Sequence, residues 1–334
     1  MIHILSNATG FGGAEIFIVD LVKLLRPSTI WARESILKRI RSKNNFDQSN
    51  LFFQNIDPHY ESAIDEFLLQ FNNPEDILFI NVQWPGTYRE IFSKLHLVKS
   101  KIHLHIHLFP YGIFPDIAAE NFTISCVSKD IADRIKLKKN LNSVVTGNQP
   151  TSGIDSYLKV PILERLRKKA LVIGRVDSQK NFDEALFLTK ILKNESLIDG
   201  VDWAGWNDFE SYFLKSSINF LGSQNIETIL RNYDIVIFFS KYEGLSLSLM
   251  ESLAAGKLVI APNVSSFPEV IENGYNGLLY EEDNIADFLG CFSFLESSEK
   301  IYRIRQQARL SVVEYCEKYK VFDIIQRSMG CYAK

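Results

Sequence analysis

The chain has 334 residues, of which 46% are hydrophobic, and its 37 basic and 40 acidic residues give a formal net charge of -3. This length suits two α/β domains, each large enough to bury its own core. The balanced charge excludes a chain-wide attraction to nucleic acid, so we expect no nucleic-acid partner. The four cysteines are far apart and predict neither a zinc knuckle nor a disulfide framework, which fits a reducing cytoplasm: Cys126, Cys291, Cys316 and Cys331.

Short apolar runs alternate with longer amphipathic segments along the chain, a pattern typical of parallel-sheet βα units. Several such units fall in each half, which predicts an α/β fold with two doubly wound, Rossmann-like domains. The runs that we interpret as strands are 2–5, 77–82, 102–107, 122–127, 170–173, 235–239 and 258–261.

A glycine-rich loop follows the first strand at residues 7–15 and opens a helix rich in Ile, Val and Leu. Its glycines, Gly10, Gly12 and Gly13, do not have the spacing of the Gly-x-Gly-x-x-Gly dinucleotide fingerprint. Because glycine lacks a Cβ, such a loop lets a phosphate or an acceptor approach the backbone closely. A structural turn is the alternative interpretation.

The segment from Trp31 to Lys43 interleaves bulky apolar residues with basic ones. This pattern is compatible with a helix lying on an anionic membrane surface, and the alternative is a solvated face. The N-terminus has no basic region followed by a long apolar core, and no stretch reaches about 18 uncharged apolar residues. We therefore expect a cytoplasmic protein, with peripheral contact at the membrane face as a hypothesis.

Three histidines, His103, His105 and His107, share one face of the strand at 102–107 because side chains alternate along a strand. Histidine is a common zinc ligand, yet no acidic or cysteine partner is spaced nearby to complete a tetrahedral site. We favour a protein that needs neither a metal nor a cofactor, with a histidine metal site as the alternative.

Turn-forming and small polar residues concentrate at 146–153, which is the best candidate for a linker. We place the domain boundary near residue 155. The predicted organisation is a first domain at 1–155, a second at 156–311 and a helical C-terminal segment at 312–334.

The second half opens with a strand that runs into a loop at 171–182, containing Gly174, Arg175 and Lys180. A departing nucleoside diphosphate carries growing negative charge, which a fixed arginine with a nearby lysine would stabilise in a dry cleft. The alternative is a helix-entry loop with solvated charges.

The strongest signal is the segment 238–256, which reads as a strand, a turn and a helix that ends at Gly256. Such a helix directs free backbone N–H groups beyond the carboxyl ends of the strands, where a diphosphate binds well. Glu243 lies in the turn and Glu251 two helical turns further on. One carboxylate could accept hydrogen bonds from sugar hydroxyls and the other from ribose hydroxyls, unless both are ordinary surface glutamates.

Two glutamates with seven residues between them, a small-residue helix end and a Pro-containing strand exit together resemble the signature of retaining glycosyltransferase family 4. The segments that follow, Lys257–Val264, Pro268–Ile271 and Asn273–Leu279, occur in that family's order. The loop at 7–15 is similar to the family's Gly-Gly-Ala-Glu loop. The basic pair at Arg175 and Lys180 also matches, although the family usually has glycine where Asn181 stands.

This resemblance implies the GT-B architecture, in which two facing Rossmann-like domains enclose a deep cleft and a C-terminal helix crosses back to the first domain. It implies that Glu243 contacts the donor sugar, Glu251 binds the ribose, and backbone amides near Leu247 and Ser248 hold the phosphates. Gly12, Gly13 and Gly174 become donor-binding candidates. Family members carry a histidine near the reacting carbon, for which His107 is the best match and His105 the second.

The implied reaction is metal-independent transfer of a sugar, with retention, from a nucleotide sugar such as a UDP-sugar to a glycan or lipid-linked acceptor, in a setting such as bacterial surface polysaccharide synthesis. The chain contains no Asp-x-Asp, which is consistent with metal independence. Two rivals remain open. One is a nucleotide-sugar epimerase of the same architecture, and the other is a non-catalytic nucleotide-sugar-binding subunit.

Overall fold

The computed structural model describes residues 1–6, 13–25, 29–43, 52–55, 64–109, 114–150, 153–205 and 217–330. The chain forms two compact units. The first contains Met1–Thr151 and Tyr319–Lys334, and the second contains Ser152–Lys318. The division after residue 151 lies close to the expected boundary at 155, and the chain returns to the first unit at residue 319 instead of 312.

The first unit is built on a parallel seven-stranded sheet in the order β3-β2-β1-β4-β5-β6-β7. The order reverses between β1 and β4, so helices cover both faces of a doubly wound sheet. Its strands are β1 Ile2–Ser6, β2 Thr29–Ala32, β3 Phe52–Asn55, β4 Ile77–Val82, β5 Lys101–Ile106, β6 Phe122–Cys126 and β7 Val144–Val145. Its helices up to residue 151 are α1 Gly13–Leu25, α2 Glu34–Lys43, α3 Ile64–Leu68, α4 Arg89–Ser93 and α5 Lys129–Lys139.

Helix α5 shows how local sequence sets the ends of an element. The hydroxyl of Ser128 accepts a hydrogen bond from the backbone N–H of Ile131, which caps the first turn. Asn140 ends the helix in a left-handed conformation with φ 54°, which asparagine tolerates better than most residues. The helix buries Ile131 and Ile135 against the sheet and leaves its lysines outside.

Helix α2 occupies most of the segment that we considered for membrane contact. Its apolar residues Ile36, Leu37 and Ile40 are fully buried in the core of the first unit, while Lys38 is exposed. The apolar side chains that would enter a membrane are therefore used for folding, and that interpretation of Trp31–Lys43 is wrong. Among the described residues, no helix is long and apolar enough to cross a membrane.

The second unit repeats the topology of the first with six parallel strands in the order β10-β9-β8-β11-β12-β13. The order reverses between β8 and β11. The strands are β8 Lys169–Ile173, β9 Gly200–Ala204, β10 Ile218–Gly222, β11 Ile235–Ile237, β12 Leu258–Pro262 and β13 Leu278–Tyr280. The helices are α6 Asp155–Leu158, α7 Phe182–Asn194, α8 Ile226–Leu230, α9 Leu247–Ala254, α10 Phe267–Val270, α11 Ile285–Gly290 and α12 Ser298–Tyr319.

The C-terminal segment forms two helices where the sequence suggested one. Helix α12 ends at Tyr319, Lys320 adopts a left-handed φ of 41°, and α13 follows at Val321–Ser328. Helix α13 belongs to the first unit, where it packs on α1 and β6 and stacks Phe322 on Phe17 at 5.7 Å between ring centroids.

Of the six described residues in the proposed linker at 146–153, four are buried. The backbone N–H of Thr146 donates to the carbonyl of Cys126 at 2.9 Å and its hydroxyl donates to the same oxygen, so residue 146 continues the pairing of β7 with β6. Thr146 and Asn148 are buried. The division between the two units falls within this segment, after Thr151.

Candidate functional site

The predicted site residues of the second unit lie where the strand order of its sheet reverses. Strands β8 and β11 are direct neighbours. The loop 174–181 follows β8, and the segment 238–246 follows β11 before α9 begins. In open α/β sheets, ligands bind beyond the carboxyl ends of the strands at this position.

Lys180 and Glu243 meet at this point. The ammonium group of Lys180 forms an ion pair with Oε1 of Glu243, and the two side chains are only 13% and 8% exposed. The backbone N–H of Lys180 donates to Asp177 Oδ1 at 2.9 Å, and Gln179 Nε2 donates to the carbonyl of Tyr242 at 3.2 Å. Hydrogen bonds therefore stabilise the loop after β8 internally and connect it to the segment that carries Glu243.

Gly174 makes room for the Lys180 side chain. A Cβ at this position would lie 2.8 Å from Cε of Lys180, and φ of 148° is a conformation that side chains rarely adopt. Trp203 Nε1 donates to the carbonyl of Gly174 at 2.7 Å. Position 205 also requires glycine, because a Cβ added there would lie 1.7 Å from the carbonyl oxygen of Gly174. Sequence reasoning missed Trp203 and Gly205, which lie on and after β9.

Asn181 stands where the resembling family usually has glycine, and it has a left-handed φ of 53°. Asparagine adopts this conformation at a lower free-energy cost than most other residues with a Cβ, so it can occupy a position that usually holds glycine. Arg175 is placed differently from Lys180. Its half-exposed guanidinium contacts Asp177 Oδ2 at 3.2 Å and Gln179 Oε1 at 3.3 Å, within its own loop.

The N-terminus of α9 is the expected anion-binding element. Its N-cap residue Ser246 makes no side-chain capping bond, and the Oγ atoms of Ser246 and Ser248 lie 2.9 Å apart. The first backbone N–H groups of a helix have no partner within the helix, and the helix dipole adds partial positive charge there. At the other end, Gly256 has φ 64°, and a Cβ would lie 2.5 Å from Ile162, so the predicted left-handed glycine is confirmed.

Glu251 is buried on α9 and accepts a hydrogen bond of 2.9 Å from the phenol of Tyr157. Glu243 is buried as well. Both glutamates are thus unlike ordinary surface glutamates. Tyr157 lies in α6, directly after the domain boundary, and no sequence motif marked it.

The candidates of the first unit follow β1 and β5, the strands on either side of β4, where the order of its sheet reverses. Gly13 is the first residue of α1, and Gly12 lies outside the described residues. His107 follows β5 and contacts Oδ1 of Asn81 through Nε2 at 2.9 Å. Asn81 in turn donates to the carbonyl of Ala14 in α1 at 3.2 Å.

The other two histidines, His103 and His105, share a hydrogen-bond partner on β6, the hydroxyl of Ser125. Nδ1 of His103 contacts the Thr123 hydroxyl at 2.7 Å, and the hydroxyl of Ser125 lies 2.8 Å from His103 Nε2 and 2.7 Å from His105 Nδ1. Burial lowers the pKa of His103 and of His107 to about 3 and that of His105 well below its usual value. No group of three or more metal-ligating side chains occurs within the described ranges.

Residues 156–311, just under half of the chain, match the model of the family described as glycosyl transferases group 1. The Campylobacter jejuni N,N'-diacetylbacillosaminyl-diphospho-undecaprenol alpha-1,3-N-acetylgalactosaminyltransferase is 27% identical over 155 residues, which are 46% of this chain and 40% of that protein. The Escherichia coli UDP-Gal:alpha-D-GlcNAc-diphosphoundecaprenol alpha-1,3-galactosyltransferase is 26% identical over 204 residues, 56% of this chain and 52% of that protein. The chain therefore spans about half the length of these relatives.

A solved structure covers nearly the whole chain. The Anabaena protein HepE, solved in complex with UDP and glucose, superimposes with a TM-score of 0.74 at 13% identity and covers 98% of this chain and 97% of that one. At this identity the likeness shows the fold alone. The fold is the GT-B fold of glycosyltransferases, as predicted, and its second unit carries the group 1 glycosyltransferase sequence pattern.

Proposed function

We propose that this chain is a retaining glycosyltransferase of family 4 that transfers a sugar from a UDP-sugar to a hydroxyl group of a glycan or lipid-linked acceptor. The observation that carries the proposal is the buried pair of Lys180 and Glu243 beside the N-terminus of α9, at the ligand-binding edge of the second sheet. The family match of residues 156–311 supports the same reaction class.

Each group has a role that its chemistry suits. Lys180 and the first N–H groups of α9 are cationic or partly positive, so they stabilise the diphosphate as its charge grows. The carboxylate of Glu243 accepts hydrogen bonds from donor-sugar hydroxyls, and that of Glu251 accepts them from the ribose. Arg175 must leave Asp177 and Gln179 to reach the leaving group.

In the proposed reaction, the bond between the anomeric carbon and the diphosphate oxygen breaks, and its electron pair stays on the diphosphate. The acceptor hydroxyl attacks the anomeric carbon from the same face and gives its proton to the leaving diphosphate. Glu243 positions the sugar and forms no covalent bond. His107 faces a hydroxyl of one of the two substrates. We propose no metal ion in these steps.

The acceptor proposal rests on relatives whose names include diphospho-undecaprenol. A polyprenyl diphosphate stays in a membrane, so an enzyme that uses one must work at its surface. We therefore also propose that the protein contacts the cytoplasmic face of the bacterial inner membrane peripherally. Its proposed role is in surface polysaccharide synthesis.

The test measures donor and product together. UDP-, GDP-, ADP- and CMP-sugars are screened by thermal shift with the natural protein, Glu251→Ala and Arg175→Ala. The stabilising donor is then incubated with undecaprenyl-diphosphate-linked GlcNAc in detergent, and NMR gives the anomeric configuration of the product. We expect a UDP-sugar to stabilise only the natural protein and the product to retain the donor configuration.

Other outcomes separate the rivals. An inverted product contradicts the retaining reaction. Donor conversion to another sugar nucleotide without acceptor consumption identifies an epimerase. Donor binding without turnover on lipid-linked or soluble glycan acceptors identifies a non-catalytic binding subunit.

A further inference from the structure

Asn81 is a fully buried amide at the point where the strand order of the first sheet reverses. It lies on β4, and its backbone carbonyl accepts a hydrogen bond of 2.6 Å from the phenol of Tyr88. Its side chain connects two elements. Nδ2 donates to the carbonyl of Ala14 on α1 at 3.2 Å, and Oδ1 lies 2.9 Å from Nε2 of His107.

These contacts determine where His107 carries its proton. A backbone carbonyl only accepts hydrogen bonds, so the amide must direct its NH₂ group towards Ala14 and its oxygen towards His107. The amide oxygen is also only an acceptor. A neutral His107 therefore donates from Nε2, and its Nδ1 keeps a lone pair.

The surroundings keep His107 neutral. Burial lowers its pKa to about 3. On β5, β6 and α1, the buried titratable side chains among those described are His103, His105, Cys126 and Glu15, and Asp20 on α1 is partly exposed. The charged residues of α13 are exposed: Asp323 and Arg327.

We propose that Asn81 is a positioning residue that holds His107 in the Nε2–H tautomer and so leaves Nδ1 of His107 as a hydrogen-bond acceptor. An acceptor recognises an O–H group and repels the bare oxygens of a phosphate or carboxylate. A ligand group at Nδ1 is therefore a hydrogen-bond donor such as a hydroxyl, and its assignment to a sugar rests on the proposed function.

The first test needs no substrate. The full chain is labelled with ¹⁵N-histidine, and ring ¹⁵N–¹H correlation spectra are recorded at pH 7. The His107 signals are identified by their loss in His107→Gln. We expect a protonated Nε2 and an unprotonated Nδ1. A protonated Nδ1 or an imidazolium would overturn the inference, whatever the protein catalyses.

The second test asks whether Asn81 sets this state. Asn81→Leu removes the acceptor, so we expect signals of both tautomers and a fall in kcat/KM of about tenfold, the equivalent of one hydrogen bond. Asn81→Asp places a carboxylate against Nε2 and raises the pKa of His107. We expect the acid limb of the pH profile of kcat/KM to move to higher pH by at least about one unit.

A matched control comes from Asn276, a buried amide in the second unit that donates to the carbonyl of Val270 at 2.9 Å and accepts from the N–H of Glu272 at 2.8 Å. Asn276→Leu also removes a buried amide bridge, and we expect the His107 tautomer and the pH profile to stay unchanged. An unchanged tautomer in Asn81→Leu would refute the positioning role. The predicted tautomer with no sugar transfer would instead refute the proposed function and leave this inference standing.

Discussion

The phenol of Tyr157 donates a hydrogen bond of 2.9 Å to Oε1 of Glu251, 94 residues further along the chain, and both side chains are buried. A buried carboxylate needs such donors, because leaving it unsatisfied costs the free energy of its desolvation. Tyr157 thereby orients the carboxylate that we assign to the ribose, and it links α6 to α9.

Tyr157→Phe removes only this donor. We expect the variant to lose about 1–3 kcal/mol in free energy of unfolding and to bind the donor nucleotide more weakly, with a larger effect on KM than on kcat. Tyr275→Phe is the matched control, since it also removes a phenol hydrogen bond, in this case an exposed one to Gln307. Urea unfolding and steady-state kinetics measure both effects, and equal donor KM values in the two variants would contradict the prediction.

Lys180→Met leaves the Glu243 carboxylate buried without its counter-charge. We expect turnover to fall about 10²–10³-fold and stability to fall by about 3 kcal/mol. The double variant Lys180→Met with Glu243→Gln should recover part of the stability and none of the turnover. Lys190→Met, an exposed change on α7, serves as the control. Recovery of turnover in the double variant would mean that Lys180 acts only on folding.

Gly174→Ala places a Cβ 2.8 Å from Cε of Lys180 and strains the backbone. Lys180 has a flexible side chain that can move away, so we expect the ion pair with Glu243 to be disturbed and activity to fall by more than stability does. Gly290→Ala is the control, because nothing lies within 4 Å of the Cβ that it adds. Circular dichroism melting and a donor-turnover assay compare the two, and full activity in Gly174→Ala would contradict this account of the loop.

Lys257 is fully buried, and its ammonium nitrogen makes no hydrogen bond within the described part of the chain. Burial lowers its pKa to about 7, despite nearby Asp234, which is paired with Arg305 at 2.7 Å. Between pH 7 and the ordinary lysine value of 10.5, the unfolded chain holds a proton that the folded chain does not. Lys257 therefore makes the free energy of unfolding rise with pH across this window, by up to about 1.4 kcal/mol per pH unit.

Lys257→Met should remove this dependence and stabilise the protein most at and below pH 7. The comparison is made by urea unfolding at several pH values between 7 and 10, with Lys190→Met as the exposed control. A natural protein and a Lys257→Met variant with parallel stability profiles would show that Lys257 keeps its proton in the folded state.

Hydrophobic alternation predicted two doubly wound α/β domains, because parallel strands buried on both faces must be apolar and their connecting helices amphipathic, and the family resemblance added the GT-B architecture. The strands at 77–82 and 258–261 match β4 and β12 within one residue. Six strands were not predicted: β2, β3, β7, β9, β10 and β13. They are two to five residues long, and β9 contains Asp202, whose carboxylate is satisfied by Lys169 at 2.7 Å. Such strands depend on their neighbours more than on their own composition.

The sequence by itself also indicated Lys180, Glu243 and Glu251, because they stand at fixed spacings from strand ends and a helix start. It did not show which of them pair. Lys180 and Glu243 are 63 residues apart and meet only because β8 and β11 are adjacent. Tyr157 and Asn81 carry no local signal, since each acts through a partner on a different element. Residue types and spacing follow from the chain, whereas contacts between distant segments follow from strand order, which only the tertiary structure decides.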